Sequence, residues 1–126
     1  MPESDIDRAR ADLVTYGYCM IAEALSDDQL AMYRARVDEQ AAGERRAGIA
    51  SFASADENGV ATNQFLSALV NKGQCFADAV EMSARSIQRA ELLDQLMEEV
   101  LGRSFICNSA SAALAGPGGT PQMLHC

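Results

Sequence analysis

The sequence predicts an α+β domain, helical for its first four-fifths and extended near its end. Three observations carry this. A serine capping box at Ser26–Gln29 opens a helix (S-D-D-Q). A clean i, i+3, i+4, i+7, i+8 apolar stripe, Leu93, Leu96, Met97, Val100 and Leu101, ends at Gly102. Beyond that glycine, Phe105 to Leu114 lacks a helix cap and runs into Gly116-Pro117-Gly118-Gly119, which forces a turn.

Residues 4–16 read as the first helix. Ser4 is the expected cap, Asp5 and Asp7 suit the positive N-terminal end, Ile6, Ala9 and Leu13 recur at helical spacing, and Gly17 is a natural stop. Tyr18 to Ala22 is short and apolar and reads as a strand. The helix from the capping box runs to about Gln40, with Leu30, Tyr33, Val37 and Ala41 on one face. Residues 42–61 hold three glycines and many small polar residues without a period, which predicts a surface loop. Phe65, Leu66, Leu69 and Val70 fit a short helix broken near Gly73, and Phe76, Ala79, Val80 and Met82 fit another short turn. Ser83 is the expected cap of the helix that ends before Gly102, whose apolar stripe reads as core packing. Phe105 to Leu114 reads as a strand covered on both faces, although its alanines leave a helix open. Thr120 to Cys126 is extended, because Pro117 and Pro121 resist helix.

Composition narrows the function. A net charge of −8 lacks the basic stripe that nucleic acid requires. Cysteines at 19, 75, 107 and 126 show no C-x-x-C spacing, which argues against a zinc site or a disulfide framework and for reduced thiols in the cytoplasm. No leader pattern or 18-residue apolar run occurs, so neither a signal peptide nor a membrane partner is expected. No phosphate loop, dinucleotide fingerprint or nucleophile elbow is present.

Three polar residues stand out. His125 is the protein's single histidine. Taken alone it is more often a surface residue than a metal ligand, and one donor does not define a site. It points away from Cys126 in an extended chain, so the two are a poor chelating pair. Lys72, in N-K-G-Q, is either a solvated lysine beside a glycine break or an anion-binding group facing a carboxylate. Ser109 and Ser111 either satisfy neighbours or line a pocket.

The ordered set D-L-V-T-Y-G-Y-C-M-I-A-E-A-L-S-D-D-Q-L (12–30), N-K-G-Q-C-F-A-D-A-V (71–80), L-L-D-Q-L-M-E-E-V-L-G (92–102) and G-P-G-G-T-P-Q-M-L-H-C (116–126) resembles the phytanoyl-CoA dioxygenase family of iron(II)- and 2-oxoglutarate-dependent oxygenases. The resemblance spans nearly all of the chain outside 42–61. It implies one partial domain over 1–126. Residues 1–102 would form a mainly helical covering, and 103–126 the first strands of a double-stranded β-helix (a jelly-roll, cupin-like core), incomplete in this chain. It implies that His125 opens an H-x-D iron motif whose aspartate, second histidine and 2-oxoglutarate arginine are not in the sequence. Lys72 and Ser111 match, loosely, positions that contact the cosubstrate. The implied cofactors are Fe(II), 2-oxoglutarate and O2. The implied reaction is hydroxylation of an aliphatic C–H bond of a small-molecule substrate, with this chain alone inactive. The rival expectation is a non-catalytic, mostly helical interaction or structural domain, or an inactive gene fragment, in which His125 is incidental.

Overall fold

The computed structural model describes residues 5–55, 61–81 and 87–119. Four α-helices, α1 (Ile6–Tyr16), α2 (Asp27–Arg46), α3 (Gln74–Val80) and α4 (Ala90–Leu101), accompany three strands, β1 (Ser51–Ala55), β2 (Ala61–Leu66) and β3 (Ala112–Ala115). A 3₁₀ turn, Leu69–Lys72, joins β2 to α3. The strands form one antiparallel sheet in the order β1-β2-β3, with Phe52 opposite Gln64 and Gln64 opposite Leu114. The α+β class therefore holds, with an open three-stranded sheet among the described residues. None of the described helices is long and apolar enough to cross a membrane.

The helix ends follow local chemistry. At α1 the cap is Asp5, one residue beyond the serine expected, and its carboxylate accepts from the Asp7 amide at 2.8 Å. Ser4 lies outside the described residues. Gly17 closes the helix in the left-handed region (φ 78°), where its amide reaches the Leu13 carbonyl at 3.0 Å. The capping box of α2 is complete. The Gln29 amide donates to Ser26 Oγ at 3.2 Å, and the Ser26 amide donates to Gln29 Oε1 at 2.9 Å.

Several elements differ from expectation. Tyr18 to Ala22 makes only an isolated bridge at Ile21. The chain turns at Gly17 and again at Glu23 (φ 50°), and Tyr18 and Met20 are left exposed, so no length remains to pair with a neighbour. The expected loop at 42–61 is instead the last turn of α2 followed by the β1–β2 hairpin, with 56–60 outside the described residues. Gly43 weakens the helix by about 1 kcal/mol, but Ala41, Glu44 and Arg45 on either side of it make tertiary contacts that hold the helix on. Phe65 and Leu66 lie in β2, not in a helix; four apolar positions fit either period, and pairing with β1 and β3 decides between them. The strand expected at Phe105–Leu114 is confined to Ala112–Ala115. Its Ala112 and Leu114 face packs on the core, whereas Ala113 and Ala115 are exposed. α4 begins behind Arg89, held by the Arg89 amide on the Ala24 carbonyl (3.3 Å) and Gln88 Nε2 on the Glu23 carbonyl (3.2 Å). Met82 and Ser83 lie outside the described residues, as does Thr120–Cys126, which the sequence leads one to expect extended.

The core sits between α2 and the sheet. Ala41 from α2, Leu66 from β2, Leu69 from the 3₁₀ turn and Phe76 from α3 are buried together, flanked by Tyr33, Val37, Ala112 and Leu114. α1 and α4 form a second, looser pair around buried Ala9 and Leu96.

Candidate functional site

Lys72 ends the 3₁₀ turn. The turn is entered through Ala68 in the left-handed region (φ 51°) and is tied by the Leu69 amide to the Ala110 carbonyl at 2.9 Å. That bond brings the segment carrying Ser111 against the turn carrying Lys72. α2 reaches the same turn with one stripe of side chains. Tyr33, Arg36, Gln40 and Glu44 recur three or four residues apart and so share a face. Tyr33 Oη donates to the Cys75 carbonyl (3.4 Å), and Arg36 Nη2 donates to the Lys72 carbonyl (3.3 Å). The Lys72 ammonium donates to the Glu44 carboxylate, and Gln40 Nε2 donates to the same oxygen at 3.0 Å.

This ion pair is the most enclosed charge in the described chain. The Glu44 side chain is 6% exposed and that of Lys72 23%. The hydrogen bond from Lys72, helped by Gln40, holds the Glu44 carboxyl below the usual glutamate range against the opposing effect of burial. A second polar bridge lies alongside. Gln64, 3% exposed, donates through Nε2 to the Ala41 carbonyl (3.1 Å) and accepts from Arg45. Together these contacts fasten the C-terminal half of α2 to β2 and to the 3₁₀ turn.

Lys72 does face a carboxylate, but one supplied by its own chain. An ammonium has three donors, and an incoming anion would share Lys72 with Glu44 or displace it. Ser111 is exposed and precedes β3. Ser109 is exposed and accepts through its carbonyl from Cys107 Sγ at 3.4 Å.

No family model, curated protein or solved structure matches the chain.

His125 lies outside the described residues. The chain leaves β3 toward it through the Gly116–Gly119 turn, which is seated on β2. The Gly116 amide donates to the Thr62 carbonyl at 2.9 Å, and the Gly119 amide closes the turn on the Gly116 carbonyl at 3.0 Å. A Cβ on residue 116 would stand 2.5 Å from the Thr62 carbonyl oxygen, so only glycine permits this approach. Among the described residues no three His, Cys, Asp or Glu side chains converge as a metal would require. Glu44, the buried acid, already has one oxygen occupied by Lys72 and Gln40. The described residues thus do not make an iron site by themselves. Sequence reasoning missed Glu44 and Gln40, because the helix was expected to end at Gln40. The i, i+4 pair Gln40–Glu44 was the available signal.

Proposed function

We propose that the chain is the N-terminal part of an iron(II)- and 2-oxoglutarate-dependent oxygenase of the phytanoyl-CoA dioxygenase type, acting on an aliphatic C–H bond of a small molecule. One observation carries the reading: helices, the Lys72 turn, a helix ending at Gly102 and an antiparallel strand follow in the order of the resemblance, and a glycine turn then leads toward His125. In this reading β3 belongs to the jelly-roll expected from 103 onward, with the β1–β2 hairpin of the covering paired onto it, His125 is one metal ligand, and Lys72 and Ser111 border the 2-oxoglutarate pocket. When bound, iron with 2-oxoglutarate and O2 would supply the oxidising chemistry. The part of this chain would be to hold the helical cover against the sheet through the α2 stripe. The same reading puts the protein in the cytoplasm.

The deciding test is the open reading frame beyond codon 126. An aspartate codon directly after Cys126, followed downstream by a histidine and an arginine codon in frame, supports the oxygenase. A stop codon there removes the ligand set and sinks it. A second reading, a non-catalytic interaction domain, is favoured by the pairing of Lys72 with Glu44. Anaerobic Fe(II) titration separates the two for the polypeptide encoded by the whole frame. Stoichiometric binding lost in His125→Ala supports the first, and no binding supports the second.

A further inference from the structure

The stripe on α4 is only partly core. Leu96 is buried, but Val100 is 62% and Leu101 56% exposed, and on α1 Val14 is 89% exposed. α1 and α4 are joined by Ala9 and by the Arg10 guanidinium, which donates through two nitrogens to Glu99. Beyond that clasp they leave a groove of about 260 Å³, walled by Leu13 and Cys19 on one side and Leu96, Met97, Val100 and Leu101 on the other. Met97 also lines a second hollow of about 260 Å³, with Val80, Phe105 and Ile106, so the apolar face continues past α4. Ile106 is 85% exposed there. Contiguous apolar surface of this kind marks an interaction site, and an unbranched methionine at its centre adapts to a partner's side chains.

Charge identifies the occupant. The helices flanking the groove carry Asp7, Asp12, Glu91, Asp94, Glu98 and Glu99, against Arg8 and Arg10, with Arg103 just beyond α4. Arg10 is committed to Asp7 and Glu99, and Arg103 lies 3.7 Å from Glu98. A second copy would bring two acidic surfaces together, with a net charge of −8 on each chain. An anionic lipid surface would repel it for the same reason. We propose that the α1–α4 groove docks an amphipathic helix of a partner protein, with an apolar face flanked by Lys or Arg. The mode is helix-in-groove, with apolar anchors giving affinity and the acidic character of the two helices favouring a cationic partner. This inference does not rest on the oxygenase reading, under which any polypeptide following residue 126 would compete for the same groove.

The test uses the full chain and three labelled synthetic peptides, read by fluorescence anisotropy: a Leu/Lys amphipathic helix, its Leu/Glu counterpart, and a Ser/Lys peptide of equal charge with no apolar face. The Leu/Lys peptide is expected to bind at least about tenfold more tightly than either control. Val100→Asp and Leu101→Asp, both at exposed positions that the fold does not need buried, should each weaken it about tenfold. Asp94→Lys should weaken it several-fold and flatten its salt dependence. Equal binding of the Leu/Lys and Ser/Lys peptides, or Leu/Lys binding unchanged by both aspartate substitutions, overturns the proposal. So does a dimer in sedimentation that Val100→Asp dissolves, which would make a second copy the occupant. A tenfold gain in peptide affinity on deleting residues 120–126 would instead assign the groove to the chain's own tail.

Discussion

The Lys72 ammonium and the Glu44 carboxylate meet across the junction of α2 and the 3₁₀ turn, twenty-eight residues apart in sequence and together the most enclosed charges in the described chain. Removing one partner strands the other, and the two are not equivalent. Lys72→Met leaves a carboxylate almost out of reach of water, with Gln40 alone, and is expected to cost about 3 kcal/mol. Glu44→Gln leaves an ammonium that still touches solvent, and is expected to cost about 1 kcal/mol. The double variant should lose only about 2 kcal/mol, because no buried charge remains. Urea unfolding of the four proteins measures the coupling; strictly additive losses would show that the pair is not energetically joined.

Acid should weaken this junction in a defined direction. The folded-state pKa of Glu44 is depressed, first by Lys72 and then by Gln40. Its contribution is therefore complete above the ordinary glutamate value of about 4.3 and is lost as pH falls through the depressed value. Glu99 has the same sign through Arg10, but it is exposed and screened. Between about pH 6 and pH 3, Glu44→Gln should lose less stability than wild type in urea titrations at fixed ionic strength. Parallel losses in the two proteins would refute the linkage.

The capping box sets where α2 starts. Ser26→Ala removes the acceptor of the Gln29 amide and should cost about 1 kcal/mol, whereas Ser26→Gly should cost only a few tenths. Thermal melts by circular dichroism rank the two; equal melting temperatures for Ser26→Ala and wild type would contradict the role.

Two glycines predict opposite outcomes. Gly116→Ala drives a methyl into the Thr62 carbonyl oxygen, a backbone atom that cannot swing aside, and should cost about 1–3 kcal/mol. Its amide shifts should concentrate at Thr62, Asn63 and Ala115. Gly43→Ala adds a methyl whose nearest neighbour is the flexible end of Arg46, at 4.0 Å. Inside α2 it should stabilise by about 0.5–1 kcal/mol. Chemical denaturation reads both, and a destabilised Gly43→Ala protein would mean that α2 does not need to remain helical there.

Arg10 clasps α1 to α4 at the surface. Arg10→Ala should leave global stability nearly unchanged, because the ion pair is exposed and screened. Because α1 buries little else, its amides should exchange with solvent faster than those of α2. Uniform exchange rates across the two helices in that variant would argue against a clasp.

The parts legible in the sequence are those decided within a few residues. Ser26 and Gln29 satisfy each other's backbone groups, and Gly17 and Gly102 end helices without outside help. These fix α1, the start of α2 and the end of α4, and with the glycine turn after β3 they suffice for an α+β class. What sequence alone did not reveal depends on partners far along the chain. Ser51–Ala55 has a single aromatic, Phe52, among small residues with no alternating pattern, and becomes β1 because β2 completes its hydrogen bonds. Phe65 and Leu66 carry a helical spacing that pairing overrides. α2 continues past Gly43 because Glu44 and Arg45 find Lys72 and Gln64 across the core. The apolar stripe on α4 was legible as a stripe, yet apolarity does not state what lies opposite. Only the tertiary structure decided that Leu96 is covered while Val100 and Leu101 face outward, because burial belongs to the packing of two surfaces and not to the side chains of one.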